Sequence, residues 1–269
     1  MTDTRSQQDG SGKIRRVNQG PLPDMVYSPP TGMPTILHED PDEHFVVVDK
    51  PSGLLTVPGI APEKQDCLRS RIEDLFPLAT GPITCHRLDM STSGVMILTL
   101  NANTHRNLSR QFEQRKVHKR YVALLEGHIE HDEGTVHCPI RKDMDVRPLM
   151  LVDYVQGKPS TTRYKVLGRE EYAGQPVTRV EFEPVTGRTH QLRVHAAHPK
   201  VTTVGELGQN DTDDIIETTG LNAPIVGDEM YSTNPHFDPE TRLMLHASML
   251  TIYHPITGKQ MTFKAPIPF

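Results

Sequence analysis

The stretch His86-Arg87-Leu88-Asp89-Met90-Ser91-Thr92-Ser93-Gly94 leads straight into the apolar run Val95 to Leu100. A short apolar run bounded by turn-forming residues reads as a buried strand, and Thr92, Ser93 and Gly94 are small groups able to turn the chain just before it. Asp89 is thereby set at the tip of a loop, with the cation Arg87 two positions upstream. An acid held between a guanidinium and a buried strand is how a reactive carboxylate is offered to a substrate.

Working outward, four further blocks stand out. Val46-Val47-Val48-Asp49-Lys50-Pro51-Ser52-Gly53-Leu54-Leu55-Thr56-Val57-Pro58-Gly59 is an apolar strand running into a Pro/Gly loop. Lys119-Arg120-Tyr121-Val122-Ala123 puts a tyrosine in a strand. Gly187-Arg188-Thr189-His190-Gln191-Leu192-Arg193-Val194-His195 is rich in basic groups, and Pro224-Ile225-Val226-Gly227-Asp228 and Leu245-His246-Ala247 lie towards the end. Together with the H-R-L-D-x-x-T-S-G pattern of the loop, these blocks resemble the motifs of RluA-type RNA pseudouridine synthases, which detach uracil from its ribose in RNA and rejoin it through carbon. The resemblance runs from Pro34 to the C-terminus. Gly157-Lys158-Pro159 and the ending Met261-Thr262-Phe263-Lys264-Ala265-Pro266 are most similar to the subgroup that modifies both 23S ribosomal RNA and a tRNA stem-loop.

The resemblance implies a pseudouridine synthase fold and an RNA stem-loop as partner. It makes Asp89 the catalytic acid, Tyr121 the group that stacks on the target base and accepts the C5 proton, and Arg193 the basic partner of Asp89. Arg87, Leu192, Arg188 and His190 fall to substrate binding. Each has a plainer alternative or a weaker claim: Tyr121 as strand core, Arg193 as an exposed helix residue, Arg87 as half of a structural salt bridge, Arg188 and His190 as loop-shaping groups. The chemistry suits these residue types. A carboxylate is ionised at neutral pH and forms a cleavable ester-like adduct, a nearby guanidinium favours its charged form, and a planar cation such as Arg87 is fit to fill the vacancy left by a base that flips out of its stack.

Composition fits an ordinary enzyme: 269 residues with 35% hydrophobic content allow a sizeable core. One catalytic domain over residues 34–269 is expected, preceded by a polar tail over 1–33 too poor in large apolar groups to order itself. No apolar run is long enough for a membrane span and the N-terminus lacks a signal-peptide core, so a cytoplasmic monomer is expected. Cys67, Cys85 and Cys138 are an odd number without metal-site spacing, which predicts reduced thiols.

The net charge of -5 runs against RNA binding. Its distribution does not. Between Asn101 and Val122 stand Arg106, Arg110, Arg115, Lys116, Lys119 and Arg120 against the single acid Glu113, whereas 201–220 holds Glu206, Asp211, Asp213, Asp214 and Glu217 with no Lys or Arg. That second segment is expected to be an acidic surface loop, inserted where relatives run straight through.

Periodicity predicts a helix of about three turns carrying Leu68, Ile72, Leu75 and Phe76 to Pro77, a helix over 103–115, strands at 45–48, 95–100, 121–125 and 179–183, and a hairpin joining 249–253 to 261–264. Many strands with few helices favour an α+β domain on a largely antiparallel or mixed central sheet flanked by helices and loops. His190, His195 and His198 have poor zinc spacing, with no Glu between them, and no Gly-rich phosphate loop appears, so neither metal nor cofactor is expected. An RNA uridine isomerase is the reading these features favour. A non-catalytic RNA-binding protein of the same fold, and a metal- or carboxylate-dependent hydrolase using Asp89 with Asp228 or the histidines, are the alternatives.

Overall fold

A computed structural model describes residues 13–14, 26–199, 217–234, 236–237 and 241–269. Along the chain run β1 (Lys13–Ile14), β2 (Thr35–Glu39), β3 (Phe45–Lys50), α1 (Leu68–Leu75), β4 (Ser93–Thr99), α2 (Ala102–Glu113) and β5 (His118–Glu126). Then follow β6 (Glu133–His137), β7 (Ile140–Lys142), β8 (Met150–Asp153), β9 (Thr161–Tyr172), β10 (Gln175–Pro184), α3 (Gln191–Ala197), β11 (Glu217–Thr218), β12 (Leu245–Tyr253) and β13 (Gln260–Lys264). The chain divides into two compact units, Asp24–Val122 with Arg242–Phe269 and Met1–Pro23 with Ala123–Thr241. The first holds Asp89, the second Arg193.

In the Asp89 unit the strands lie in the order β12-β4-β3-β2, with β13 on β12. β3 pairs antiparallel with β4 and β2, while β12 pairs parallel with β4 at His246↔Ser93 and Ala247↔Gly94, so the sheet is mixed. β3 and β4 are buried almost throughout, which is why both read as continuous apolar runs rather than alternating ones. The expected hairpin is present, from Met249↔Lys264 to Tyr253↔Gln260. α1 is shorter than its apolar spacing suggests. It buries Leu68 and Ile72, is capped by reciprocal bonds between Cys67 and Ser70, and ends at Leu75 because Phe76, preceding Pro77, is pushed out of helical backbone. α2 is capped by Asn101 Oδ1, which accepts from the Thr104 N–H at 2.9 Å, and stops before Arg115, whose φ is 57°.

In the Arg193 unit β11-β6-β9-β10 hydrogen-bond in that order, and β1-β8-β7 form a separate small sheet. β9 and β10 join through Ala173 and Gly174, both at positive φ, as a two-residue hairpin requires. The fold class is α+β on mostly antiparallel, mixed sheets.

Parts of the two segments expected to be free of structure are tied down. β1, within 1–33, pairs with β8. Further along, Tyr27 Oη donates to Asp66 O at 2.7 Å and the Arg71 guanidinium donates to Pro30 O and Gly32 O. At the end of 201–220, β11 pairs parallel with β6, and a Cβ on Gly220 would come within 2.0 Å of His198 O. These anchors join residues far apart in the chain, which composition does not reveal. The rest of both segments lies outside the described residues. The three cysteines are free thiols, and no described helix is long and apolar enough to cross a membrane.

Candidate active site

The loop that carries Asp89 is held by the segment following β3. Thr56 Oγ1 donates to Leu88 O at 2.7 Å, Gly53 N to Met90 O at 2.9 Å and Ser52 Oγ to Ser91 O at 2.7 Å. Lys50, fully buried, donates from Nζ to Pro51 O (2.9 Å), Leu54 O (2.7 Å) and Met90 O (3.0 Å). Burial pulls the Lys50 ammonium down to about 7, and the Asp89 carboxylate opposes it. The three carbonyls match the three N–H bonds of an ammonium, whereas a neutral amine offers only two. Backbone carbonyls on both sides of Asp89 are therefore fixed by one short stretch.

The far end of the loop is fixed from β12. Arg242 Nη2 donates to Ser93 Oγ, and Ser93 Oγ lies 2.8 Å from His246 Nδ1. With Arg242 as donor, the Ser93 hydroxyl proton points to Nδ1, which makes that nitrogen the acceptor. Burial holds His246 down at about 4, so it is neutral at physiological pH. Gly94 has φ 119°, and a Cβ there would stand 2.3 Å from Ala247 O. No other residue fits at that crossing of β4 and β12.

Tyr121 projects from β5 against the core of the same unit. Burial, then the Asp89 carboxylate, raise its pKa, so it stands beside Asp89 as a neutral phenol. Arg87 is exposed and, among the described residues, forms no ion pair. The preceding His86 stacks on Phe112 with ring centroids 4.5 Å apart and accepts from Ile97 N at 3.1 Å. That contact docks the last turn of α2 against the base of the loop.

The remaining expected residues cluster in the Arg193 unit. Arg193 is 1% exposed, so it is not a surface helix residue. Its fork donates to Asp228 Oδ2 at 2.9 Å and Oδ1 at 2.6 Å, and Nη2 also reaches Glu229 Oε1 at 3.2 Å. The guanidinium lies 5.3 Å from the centre of the Tyr231 ring. A bidentate pair of this kind fixes the plane of the guanidinium as well as its charge. His190 precedes α3 in left-handed backbone, φ 52°, with Nδ1 2.8 Å from Tyr231 Oη. It is buried and shapes the turn rather than facing solvent. Leu192 is buried on α3. Arg188 is half-buried, 3.4 Å from Pro159 O. His195 turns Nε2 to Ser160 Oγ at 3.0 Å, so the three histidines do not converge as ligands. Among the described residues the group with ligand atoms close enough for an ion is Asp40, Asp42 and His44, and Asp40 is already bonded to His254 and to the His44 N–H.

Sequence reasoning assigned no role to Lys50, Ser93, Arg242, His246 or Tyr231. The signal for Lys50 was a lysine ending an apolar strand before Pro51, where a charge has no reason to be buried unless something needs it.

Comparison with known proteins agrees with this geometry. A family model described as RNA pseudouridylate synthase matches residues 44–198. The dual-specificity RNA pseudouridine synthase RluA of Escherichia coli K12 is 41% identical over 90% of this chain and 98% of its own. That of Haemophilus influenzae is 40% identical over 85% and 91%. Among solved structures, human RNA pseudouridylate synthase domain containing 1 superimposes with a TM-score of 0.67 at 32% identity, covering 90% of this chain and 87% of that one. The chain belongs to the RNA pseudouridylate synthase family and is an isomerase acting on RNA.

Proposed function

We propose that Asp89 is the group through which this enzyme converts uridine to pseudouridine, in stem-loops of 23S ribosomal RNA, tRNA or both. The observation that carries the reading is the clamp on its loop: carbonyls at 88, 90 and 91 are each bound by the 50–56 segment, which holds the carboxylate on a fixed tip beside the Tyr121 phenol. Preorganisation of this kind is what positions a nucleophile or base against a reacting carbon. The carboxylate either attacks C1′ of the ribose or removes a sugar proton to give a glycal. In both routes the N1–C1′ bond breaks, the uracil turns, C5 bonds to C1′, and the C5 proton is lost while N1 gains one, so RNA mass is unchanged.

Tyr121 supplies an aromatic face for the uracil and an oxygen for the C5 proton. Arg193, fixed by Asp228, is the basic residue that the family resemblance assigns to the reaction. Arg87 fills the stack the target base vacates, Leu192 packs against the flipped base, and Arg188 and His190 shape the loop that meets the backbone phosphates. Residues 34–269 act as the catalytic domain of a cytoplasmic monomer that needs no cofactor. RluA relatives described as dual-specificity enzymes support the pairing of ribosomal and transfer RNA.

Release of tritium from C5-labelled RNA tests the assignment. Wild-type protein should release it without added nucleotide and in the presence of chelator, and Asp89→Asn should stay folded, bind RNA and release none. Sustained release by folded Asp89→Asn would sink the role of Asp89.

A further inference from the structure

We propose that the outer face of α2 and the turn after it form a second RNA-contact surface, which grips the phosphate backbone of the substrate away from the target nucleotide. This rests on the reading that the chain modifies RNA. α2 turns Thr104, Leu108 and Gln111 inward, which leaves Arg106 and Arg110 exposed one turn apart on the opposite face. Arg115 and Lys116 follow, both exposed.

The surface is rigid. Gln111 Nε2 donates to Tyr253 O at 2.6 Å, its Oε1 accepts from Tyr253 N at 2.9 Å, and Asn107 Nδ2 donates to Pro255 O at 3.0 Å. It also adjoins the catalytic loop, because Phe112 at its last turn stacks on His86, the residue before Arg87.

The charges themselves point outward. Several exposed arginines elsewhere are paired within the fold: Arg69 with Glu73 at 2.8 Å, Arg169 with Asp132 at 2.7 Å, Arg163 with Glu183 at 3.7 Å. Among the described residues Arg106, Arg110, Arg115 and Lys116 form no ion pair, although Glu113 lies in their midst. In a chain of net charge -5, a strip of unpaired cations on a braced helix is suited to a polyanion. Phosphates are the negative charge an RNA enzyme meets, and neutralising them releases counterions.

The test is the salt dependence of binding to a short uridine-containing stem-loop RNA, using full-length protein. R106Q/R110Q and R115Q/K116Q should each lower the slope of log K against log salt by about 1 to 2 and weaken binding at low salt on the order of tenfold. The control pair R69Q/R163Q removes the same charge elsewhere and should leave the slope unchanged. R106K/R110K should restore it, since point charges suffice, which separates contact from misfolding. An unchanged slope in both α2 pairs, or an equal loss in the control, would overturn the proposal. Tritium release by wild type is measured alongside: its absence would refute the modification reading, while the slopes still judge the α2 surface.

Discussion

Lys50 Nζ stands 3.0 Å from the carbonyl oxygen of Met90, forty positions away along the chain, and the same ammonium serves Pro51 and Leu54. Lys50→Met would keep the stem and strand buried but leave three inward-facing carbonyls without a donor. Each such loss costs about 1–3 kcal/mol, and relaxation should bring the total to roughly 3 kcal/mol. Urea unfolding should show that loss, and turnover should fall by more than RNA affinity does. A variant with wild-type kcat would show that the clamp is irrelevant to catalysis.

Gly94→Ala should be among the most damaging small substitutions in the chain. Its φ of 119° is hostile to a side chain, and the new methyl would meet Ala247 backbone atoms at 2.3 and 2.5 Å. The parallel contact between β4 and β12 must then part, at a cost above about 3 kcal/mol. Gly258→Ala is the comparison, also at positive φ but with nothing within 4 Å, and should cost only about 1 kcal/mol. Similar melting temperatures for the two variants would refute the argument.

Tyr121→Phe keeps the ring and loses the oxygen. If that oxygen handles the C5 proton, tritium release should drop roughly 10²- to 10⁴-fold with RNA affinity nearly intact. A rate unchanged from wild type would leave Tyr121 a stacking role only.

Arg87→Ala should slow modification of a structured stem-loop more than that of an unstructured RNA carrying the same uridine, because a vacated stack exists only in the first. Equal losses on the two RNAs would reject the flipping role.

Acid should weaken the fold through buried histidines. Burial holds His195 at about 3 and His198 and His246 at about 4, against roughly 6.5 in the unfolded chain. The folded values are depressed, so the unfolded state takes up protons first. Stability is complete above pH 6.5 and is lost as pH falls towards 4, by about 1.4 kcal/mol per histidine per pH unit. Melting temperature followed from pH 7 to 5 should fall, and His195→Asn should fall less steeply. A flat profile would contradict the burial argument.

What the sequence disclosed was what neighbouring residues decide. The Phe45–Val48 run, the hairpin around Ile256-Thr257-Gly258-Lys259 and the Leu68/Ile72 stripe appear nearly as read, because period and turn chemistry act within a few residues. Asp89 and Tyr121 were legible through a motif, and the Asp89 charge acts on the Tyr121 phenol. The supports of the site were not. Lys50 meets Met90, Ser93 meets His246 and Arg193 meets Asp228 across separations that no local pattern encodes. The left-handed turn at His190 was hidden too, since histidine, though enriched at positive φ, marks it less sharply than glycine would. Phe76 extended α1 in the reading because an apolar residue at helical spacing counts whether or not its backbone stays helical.

The bond between Ser93 and His246 joins residues 153 positions apart. A ribosome adding residues at about 5–20 per second has therefore presented Asp89 well before the strand that steadies its loop exists. The nascent chain carries the reactive residue without its brace, and the β4–β12 crossing closes only once His246 has been made. Competence to modify RNA would then follow the making of β12, which keeps a chain that still lacks it from acting on the RNA-rich surroundings in which it is being made.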